Sequence, residues 1–453
     1  MNAIFVNPPC KSDNPLPTLG IAYLAAVLKQ NGHDAILIDL WIDPVTDEYL
    51  KSKISDFSPD IIGVPFFTRR YADTKILLDK LKGWFPDVKI VVGGSHASAL
   101  PKEVLEEITS VDIVVVGEGE KTIVQLIENL DKDCLGDVKG IAFRRESRII
   151  VTEQPEFIED LDKLPYPDLL QVDPRKCKIH PPYGWYGLPL TMMTTRGCPG
   201  KCVFCSKSVF KNSLRSQSPG RIVDEIEYWK TKLPIKEIRF FDDDFTITRK
   251  RSFQICDEMI KRKVNLPWTC TTRVDYLSKE LLIKMKEAGL YFIVLGVESG
   301  SPRVLKNLRK GYTVSHIRNA FKWCRELGIT TFGFFMVGGP GEEDEDRRMT
   351  LKIQKEIRPD FLSWGALRVF PGSPLFDECK DDPKYNFLKD KNNPYFELYR
   401  KDIEEKFLYS FCQKAMLKHY LSFHGFKSVL TYMYKTRSFG FIKDFFQWIT
   451  AKL

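Results

Sequence analysis

No run of about 18 consecutive apolar residues occurs in this chain, so no transmembrane helix is expected. The opening run Met-Asn-Ala-Ile-Phe-Val-Asn-Pro-Pro lacks a basic stretch and a long apolar core, so it does not read as a signal peptide. A disulfide framework is missing too. The eleven cysteines are an odd number scattered over 453 residues, which predicts reduced thiols and a cytoplasmic setting. There is no general basic coat. Of the net charge of +8, a balance of +7 falls between Lys406 and Leu453, where seven Lys and one Arg face one Asp. The remainder is nearly neutral, which argues against nucleic acid as a partner.

What is present is alternation. Over the first ~145 residues, short apolar strands recur at Ala3–Asn7, Ala35–Leu40, Ile61–Pro65, Ile90–Val92 and Asp112–Val116. Helical spacing separates them, as at Leu19–Gln30, Ala72–Trp84 and Lys121–Leu130. This predicts a doubly wound parallel sheet of Rossmann-like type, whose ligands sit at the C-terminal strand ends. The loops there are Asn7-Pro8-Pro9, Phe66-Phe67-Thr68, Gly93-Gly94-Ser95-His96 and Gly117-Glu118-Gly119-Glu120. Glycine in such loops lets backbone approach a bulky ligand. Gly117-x-Gly119 lacks the third glycine of a dinucleotide fingerprint, and its two glutamates would repel a pyrophosphate.

A hairpin across Arg145-Glu146-Ser147 and proline-rich aromatic segments then suggest a linker at 141–188. Cys177-x2-His180 is half a metal site that nothing nearby completes. From 189 to 390, six further strands alternate with helices, which suggests a partial (β/α)6 barrel with its chemistry at the C-terminal mouth. Residues 391–453 read as helices rich in aromatics and lysine. They would cap the open barrel edge or, as a second reading, lie at a membrane surface.

The loop after the first barrel strand holds Cys198, Cys202 and Cys205, spaced C-x3-C-x2-C. A structural zinc site wants four ligands, and no second C-x2-C pair is present. Three thiolates can instead hold three irons of a [4Fe-4S] cluster and leave the fourth iron open. This loop resembles the signature of the radical S-adenosylmethionine (SAM) superfamily. The later strand ends match such modules in order: Phe240-Phe241-Asp242-Asp243-Asp244, Thr271-Thr272-Arg273-Val274-Asp275, Gly296-Val297-Glu298-Ser299-Gly300 and Gly338-Gly339-Pro340-Gly341-Glu342. The loops of residues 1–140 in turn look like the cobalamin-binding domain that precedes many radical SAM modules.

The resemblance implies a [4Fe-4S] cluster on the three cysteines. It implies SAM contacts from Phe204, Asp243, Arg273, Glu298, Ser299, Gly338 and Gly339. Cobalamin contacts are implied from Asn7, Pro8, Pro9, Phe66, Phe67, Thr68, Gly93, Gly94, Ser95, His96, Gly117, Glu118, Gly119 and Glu120. The string D-x-H-x-x-G, which donates an axial histidine in some cobalamin domains, is absent. The resemblance therefore implies base-off cobalamin, with His96 a polar pocket wall or a surface-loop histidine. The implied reaction is methylation of an unactivated carbon, with radical cyclisation, ring contraction or oxidation as the alternative. A flavodoxin or ferredoxin would be the electron donor. The implied substrate is a small molecule, lipid or peptide, which the sequence does not name.

Overall fold

The computed structural model describes residues 1–10, 18–130, 134–172, 176–177, 185–387 and 394–436. Its contacts divide the chain into two units. The first comprises Met1–Lys178, Cys205–Arg215 and Val369–Glu397. The second comprises Ile179–Phe204, Ser216–Arg368 and Leu398–Leu453. The second segment boundary runs through the cysteine loop, so Cys205 falls with the first unit.

The first unit is built on seven strands: β1 (Asn2–Asn7), β2 (Asp34–Asp39), β3 (Ile61–Pro65), β4 (Lys89–Gly93), β5 (Ile113–Val115), β6 (Ile141–Arg145) and β7 (Arg148–Val151). They lie in the order β2-β1-β3-β4-β5-β6-β7. The first five are parallel. Every residue of β3 is buried, as expected for a strand covered on both faces. Helix α1 (Leu19–Gln30) follows β1, and Asn31 closes it by donating its amide to Val27 and Leu28. Between β2 and β3 lies α2 (Asp47–Phe57), which the sequence reading did not register. Thr46 caps it by accepting from the Tyr49 amide at 3.3 Å. α3 (Tyr71–Trp84), the short α4 (Ser95–Ala99) and α5 (Pro101–Glu107), and α6 (Gly119–Asn129) complete the layers.

The predicted hairpin forms, but as sheet rather than linker. β6 pairs antiparallel with β5, and β7 with β6. Arg144 of β6 donates to the carbonyls of Val111 (2.5 Å) and Ile108 (3.0 Å), fixing the hairpin to the turn before β5. At the other edge, the Gln171 side chain accepts from the Leu37 amide at 2.9 Å and donates to the Ala35 carbonyl at 3.2 Å. It occupies the hydrogen-bonding edge of β2, which would otherwise template another strand. The hairpin thus extends one edge of the first sheet, and Gln171 covers the other.

The main sheet of the second unit has six strands: β8 (Pro189–Met192), β9 (Glu237–Phe240), β10 (Trp268–Arg273), β11 (Leu290–Glu298), β12 (Thr330–Val337) and β13 (Phe361–Ala366). All neighbours are parallel, in the order β13-β12-β11-β10-β9-β8. The connections are helical: α7 (Pro219–Lys232), α8 (Arg249–Lys261), α9 (Lys279–Glu287), α10 (Pro302–Asn307), α11 (Val314–Glu326) and α12 (Asp344–Ile357). Ser218, Ser278 and Ser301 cap α7, α9 and α10 through their side-chain oxygens. This is the expected partial (β/α)6 barrel.

Two C-terminal helices follow, α13 (Glu405–Tyr420) and α14 (Phe423–Thr436). α13 covers the barrel edge. Tyr420 Oη exchanges hydrogen bonds with both the amide (3.0 Å) and the carbonyl (2.8 Å) of Leu362 in β13. Residues 437–453 of the expected C-terminal helical region, and His180 of the half-site, lie outside the described residues.

Candidate active site

The cysteine loop begins two residues beyond β8, and Asp242 holds its start. The Asp242 carboxylate, fully buried, accepts from the amides of Thr194 (2.6 Å) and Thr195 (2.8 Å) and from Thr194 Oγ1 (2.6 Å). Cys198 and Cys205 are half-buried and Cys202 is buried. Among the described residues, no three His, Cys, Asp or Glu side chains converge as a single-ion site. A cluster spreads its three thiolates over three irons and does not require that convergence. The donor chemistry fits a cluster: Arg273 Nη1 lies 3.7 Å from Cys202 Sγ, where a cation favours thiolate over thiol.

Arg273, an expected SAM contact, already has protein partners. Its Nε (3.0 Å) and Nη2 (2.8 Å) already donate to the two oxygens of Asp275, and Nη2 also reaches the Lys310 carbonyl. Burial disfavours the guanidinium charge, but Asp275 and the Cys202 thiol more than offset this and hold its pKa up. Asp244 steadies the same strand end. It accepts from Thr272 Oγ1 (2.7 Å) and the Arg273 amide (3.3 Å), and burial lifts its pKa to about 6. Asp243, the member of the acidic run chosen from sequence, is exposed while both neighbours turn inward.

Glu298 ends β11 in a conformation unusual for a side-chain-bearing residue, with φ +58°, at a break in the register against β12. Its Oε1 accepts from Lys310 Nζ at 3.0 Å, with both side chains buried. Burial works against the Lys310 charge. The Glu298 carboxylate, with Tyr312 and the Cys202 thiol, outweighs it, so the lysine stays protonated. The ammonium also sits over Phe204 (5.3 Å to the ring centroid) and Tyr312 (5.4 Å). Lys310 and Tyr312 escaped the sequence reading. A lysine in the run Lys306-Asn307-Leu308-Arg309-Lys310 looks like a solvated helix end, and only the fold buries it.

The remaining expected SAM contacts have structural partners. Ser299 is buried, faces Thr350 Oγ1 at 3.0 Å and accepts from the Ser301 amide at 3.1 Å, so it shapes the turn rather than supporting Glu298. Gly338 has φ +82° and donates its amide to Glu342 at 2.7 Å. A Cβ there would face Arg400 and Leu408 at 3.6 Å. A Cβ on Gly339 would press on Val304 at 3.1 Å. The loop is glycine-rich for protein packing, and what it offers a ligand is backbone.

In the first unit the four expected loops do end neighbouring strands. Many of their side chains are engaged. Asn7 is buried, donates to Asp39 at 2.8 Å and accepts from Arg70 at 3.3 Å. Phe66 is core, Pro8 is buried and Pro9 exposed. The Ser95 carbonyl accepts from Ser208 at 2.8 Å. Cβ atoms on Gly93, Gly94, Gly117 and Gly119 would all meet protein, Gly94 (φ +102°) at 3.1 Å from the Phe66 carbonyl and Gly119 at 3.1 Å from the Leu24 side chain. Glu120 is buried on α6. Glu118 does not repel a phosphate: its carboxylate is buried against Arg215 Nη1 (2.9 and 2.7 Å) and accepts from the Ile158 amide (3.0 Å).

His96 is no surface histidine. It is buried on α4, with Nδ1 3.0 Å from Thr68 Oγ1 and its ring 4.7–5.4 Å from Phe66, Tyr71 and Tyr395. Burial pushes its pKa down to about 3. These residues fit a cobalamin held without an axial histidine, at a strand-end edge free of bare carboxylate from Glu118.

Comparison with known proteins agrees with both halves. Residues 192–353 match the model of the radical SAM superfamily and residues 11–127 that of the B12 binding domain. An uncharacterized methyltransferase of Pyrococcus horikoshii is 31% identical over 80% of this chain and 78% of its own. An anaerobic magnesium-protoporphyrin IX monomethyl ester cyclase of Rubrivivax gelatinosus is 30% identical over 86% of this chain and 73% of its own. The structure of a radical SAM methyltransferase from Kitasatospora setae, with tryptophan and a SAM analogue bound, shares the fold: TM-score 0.72, 18% identity, 84% of this chain and 77% of that one.

Proposed function

This chain belongs to the cobalamin-dependent radical SAM family, and from that membership we propose methyl transfer to an unactivated carbon of a small-molecule substrate as its reaction. Its cofactors are a [4Fe-4S] cluster, SAM and cobalamin. When bound, they supply a 5'-deoxyadenosyl radical that abstracts hydrogen and a methyl group that replaces it. The chain's own residues bind and orient. Cys198, Cys202 and Cys205 are the iron ligands, with Arg273 beside Cys202 holding charge against the thiolate. Glu298 accepts from the ribose hydroxyls or ammonium of SAM, and Lys310, its buried partner, fixes the carboxylate and faces the SAM carboxylate. Phe204 stacks near the adenine. The backbone of Gly338 and Gly339 borders it. On the first unit, Pro9, Phe67 and the backbone of residues 93–95 and 117–119 line the cobalamin edge.

The observation that carries this reading is the buried Glu298–Lys310 pair lying with Arg273 and Cys202 in one unit. Such a charged set is retained against its desolvation cost where a charged ligand is bound. The test uses SAM with a deuterated methyl group. Labelled product, with S-adenosylhomocysteine and 5'-deoxyadenosine formed in near-equal amounts, is the expected result. Unlabelled product with 5'-deoxyadenosine alone favours the cyclase-type reading, which the Rubrivivax relative supports. The triple Cys198, Cys202, Cys205→Ala variant should form no 5'-deoxyadenosine.

The electron donor is a flavodoxin or ferredoxin. Among the described residues no helix is long and apolar enough to cross a membrane. α14 nevertheless suits a membrane surface. Gly425, Ser428, Val429 and Tyr432 face the core, while Phe423 (86% exposed), Phe426, Leu430 and Tyr434 (87%) line the opposite side. A helix apolar on both faces wants cover on both. With Lys418 and Lys427 adjoining, the cover proposed is anionic lipid.

A further inference from the structure

Arg273 ends β10 with its guanidinium held from several directions. Nε and Nη2 donate side-on to the two oxygens of Asp275 at 3.0 and 2.8 Å, and Nη2 also reaches the Lys310 carbonyl. The guanidinium carbon lies 5.2 Å from the Tyr276 ring centroid and 5.3 Å from that of Tyr312. These contacts fix the plane of the group and commit one edge of it. The other edge carries Nη1, which donates to Cys202 Sγ across 3.7 Å.

The cysteine loop admits this contact. A Cβ on Gly200 would come within 3.7 Å of Nη1 and 3.2 Å of Cys198 Sγ, so the loop passes the guanidinium with backbone alone. Cys202 is 6% exposed and the Arg273 side chain 14%. Little water screens the charge from the sulfur, so its effect there exceeds that of a surface pair. Asp275 offsets part of the charge, but from the edge that carries Nε and Nη2.

The consequence reaches past ionisation of the thiol. A ligand sulfur of a [4Fe-4S] cluster carries more negative charge when the cluster is reduced. A hydrogen bond and a positive charge at that sulfur therefore favour the reduced state over the oxidised one. We infer that Arg273 is a positioning residue that acts through Cys202. It raises the potential at which the cluster accepts one electron from the flavodoxin or ferredoxin donor, and it does so without binding SAM. No bond forms or breaks in that step. The inference rests on the cluster proposed above, but iron content and labelled product test that reading, and the potential tests this one.

The experiment is a redox titration of the reconstituted full chain, followed by electron paramagnetic resonance of the reduced cluster with no SAM present. Arg273→Gln, loaded like the wild type with about four irons, should be harder to reduce. At a fixed potential its ratio of reduced to oxidised cluster should fall about tenfold, which is about 59 mV for a one-electron couple. Arg273→Lys keeps the charge without the aimed donor and should recover part of the loss. An unchanged potential in Arg273→Gln, or a shift that appears only once SAM is added, overturns the inference. Should Arg273→Gln fail to hold its cluster, the wild type and Arg273→Lys still decide. Grown on arginine labelled with nitrogen-15 in the guanidino group, the wild type should show coupling of that nitrogen to the reduced cluster in pulsed electron paramagnetic resonance. Arg273→Lys should lose it. No coupling in the wild type, or the same coupling in Arg273→Lys, overturns the inference as well.

Discussion

Glu298 and Lys310 illustrate how one residue acquires meaning from another. Removing one member of a buried ion pair leaves the other uncompensated, at a cost of about 3 kcal/mol or more. Glu298→Gln is therefore expected to lower stability in denaturant titrations and to weaken SAM binding at least tenfold by equilibrium dialysis. Glu298→Gln combined with Lys310→Met should restore stability and leave SAM binding lost. A pair that served only packing would show both readouts recover. His96 has a pH signature of opposite origin. Its folded pKa of about 3 lies below the ordinary 6.5, so the unfolded chain binds the extra proton between those values. Its contribution to stability is full above pH 6.5 and falls as pH drops toward 3. Between pH 7.5 and 5 the wild type should lose about 2 kcal/mol more than His96→Gln. Because the ring is committed to Thr68 and its aromatic neighbours, the Co(II) electron paramagnetic resonance spectrum should lack imidazole nitrogen splitting. That spectrum was expected from the missing D-x-H-x-x-G string. The burial of His96 was not legible, since one histidine after two glycines looks the same in a loop or a core.

At the scale of elements, α14 differs from its neighbour. α13 spends its apolar residues Leu408, Cys412, Ala415 and Met416 on the barrel edge, whereas α14 has a second apolar side left over. Sedimentation with vesicles containing phosphatidylglycerol should bring down the protein, and pure phosphatidylcholine vesicles should do so much less. Phe426→Ser with Leu430→Ser should abolish the effect, and Lys418→Glu with Lys427→Glu should make it insensitive to the anionic lipid. Equal sedimentation of wild type and the serine variant would sink the lipid reading. The sequence showed the basic, aromatic character of this region. Which aromatics are core and which exposed depends on the face α14 turns to Trp185 and Phe361, both of which contact Tyr432.

The whole molecule is less divisible than its sequence suggested. A domain ending at residue 140 would leave β5 as a bare edge, because β6 and β7 lie beyond the cut. It would also leave Glu118 buried without Arg215. The fragment 1–140 is therefore expected to show no cooperative unfolding by circular dichroism and no cobalamin binding, whereas the full chain has both. A sharp melting transition in that fragment would contradict this account.

The sequence by itself determined the strand and helix alternation, the parallel sheets and the three cysteines. Each is a local pattern: period two or 3.6 in apolar residues, or ligands a few positions apart on one loop. It also determined that no histidine motif for cobalt is present. Tertiary structure alone decided which charged residues are buried together. Asp242 and Asp244 turn inward while Asp243 points to solvent, and Lys310 meets Glu298 twelve positions away. Residues 141–145 and 148–151 extend the first sheet as antiparallel strands. The physical reason is that a charge tolerates burial only with a partner at hand, and for Asp242 and Lys310 the partners come from other segments that the folded sheet brings together, beyond any short window of sequence.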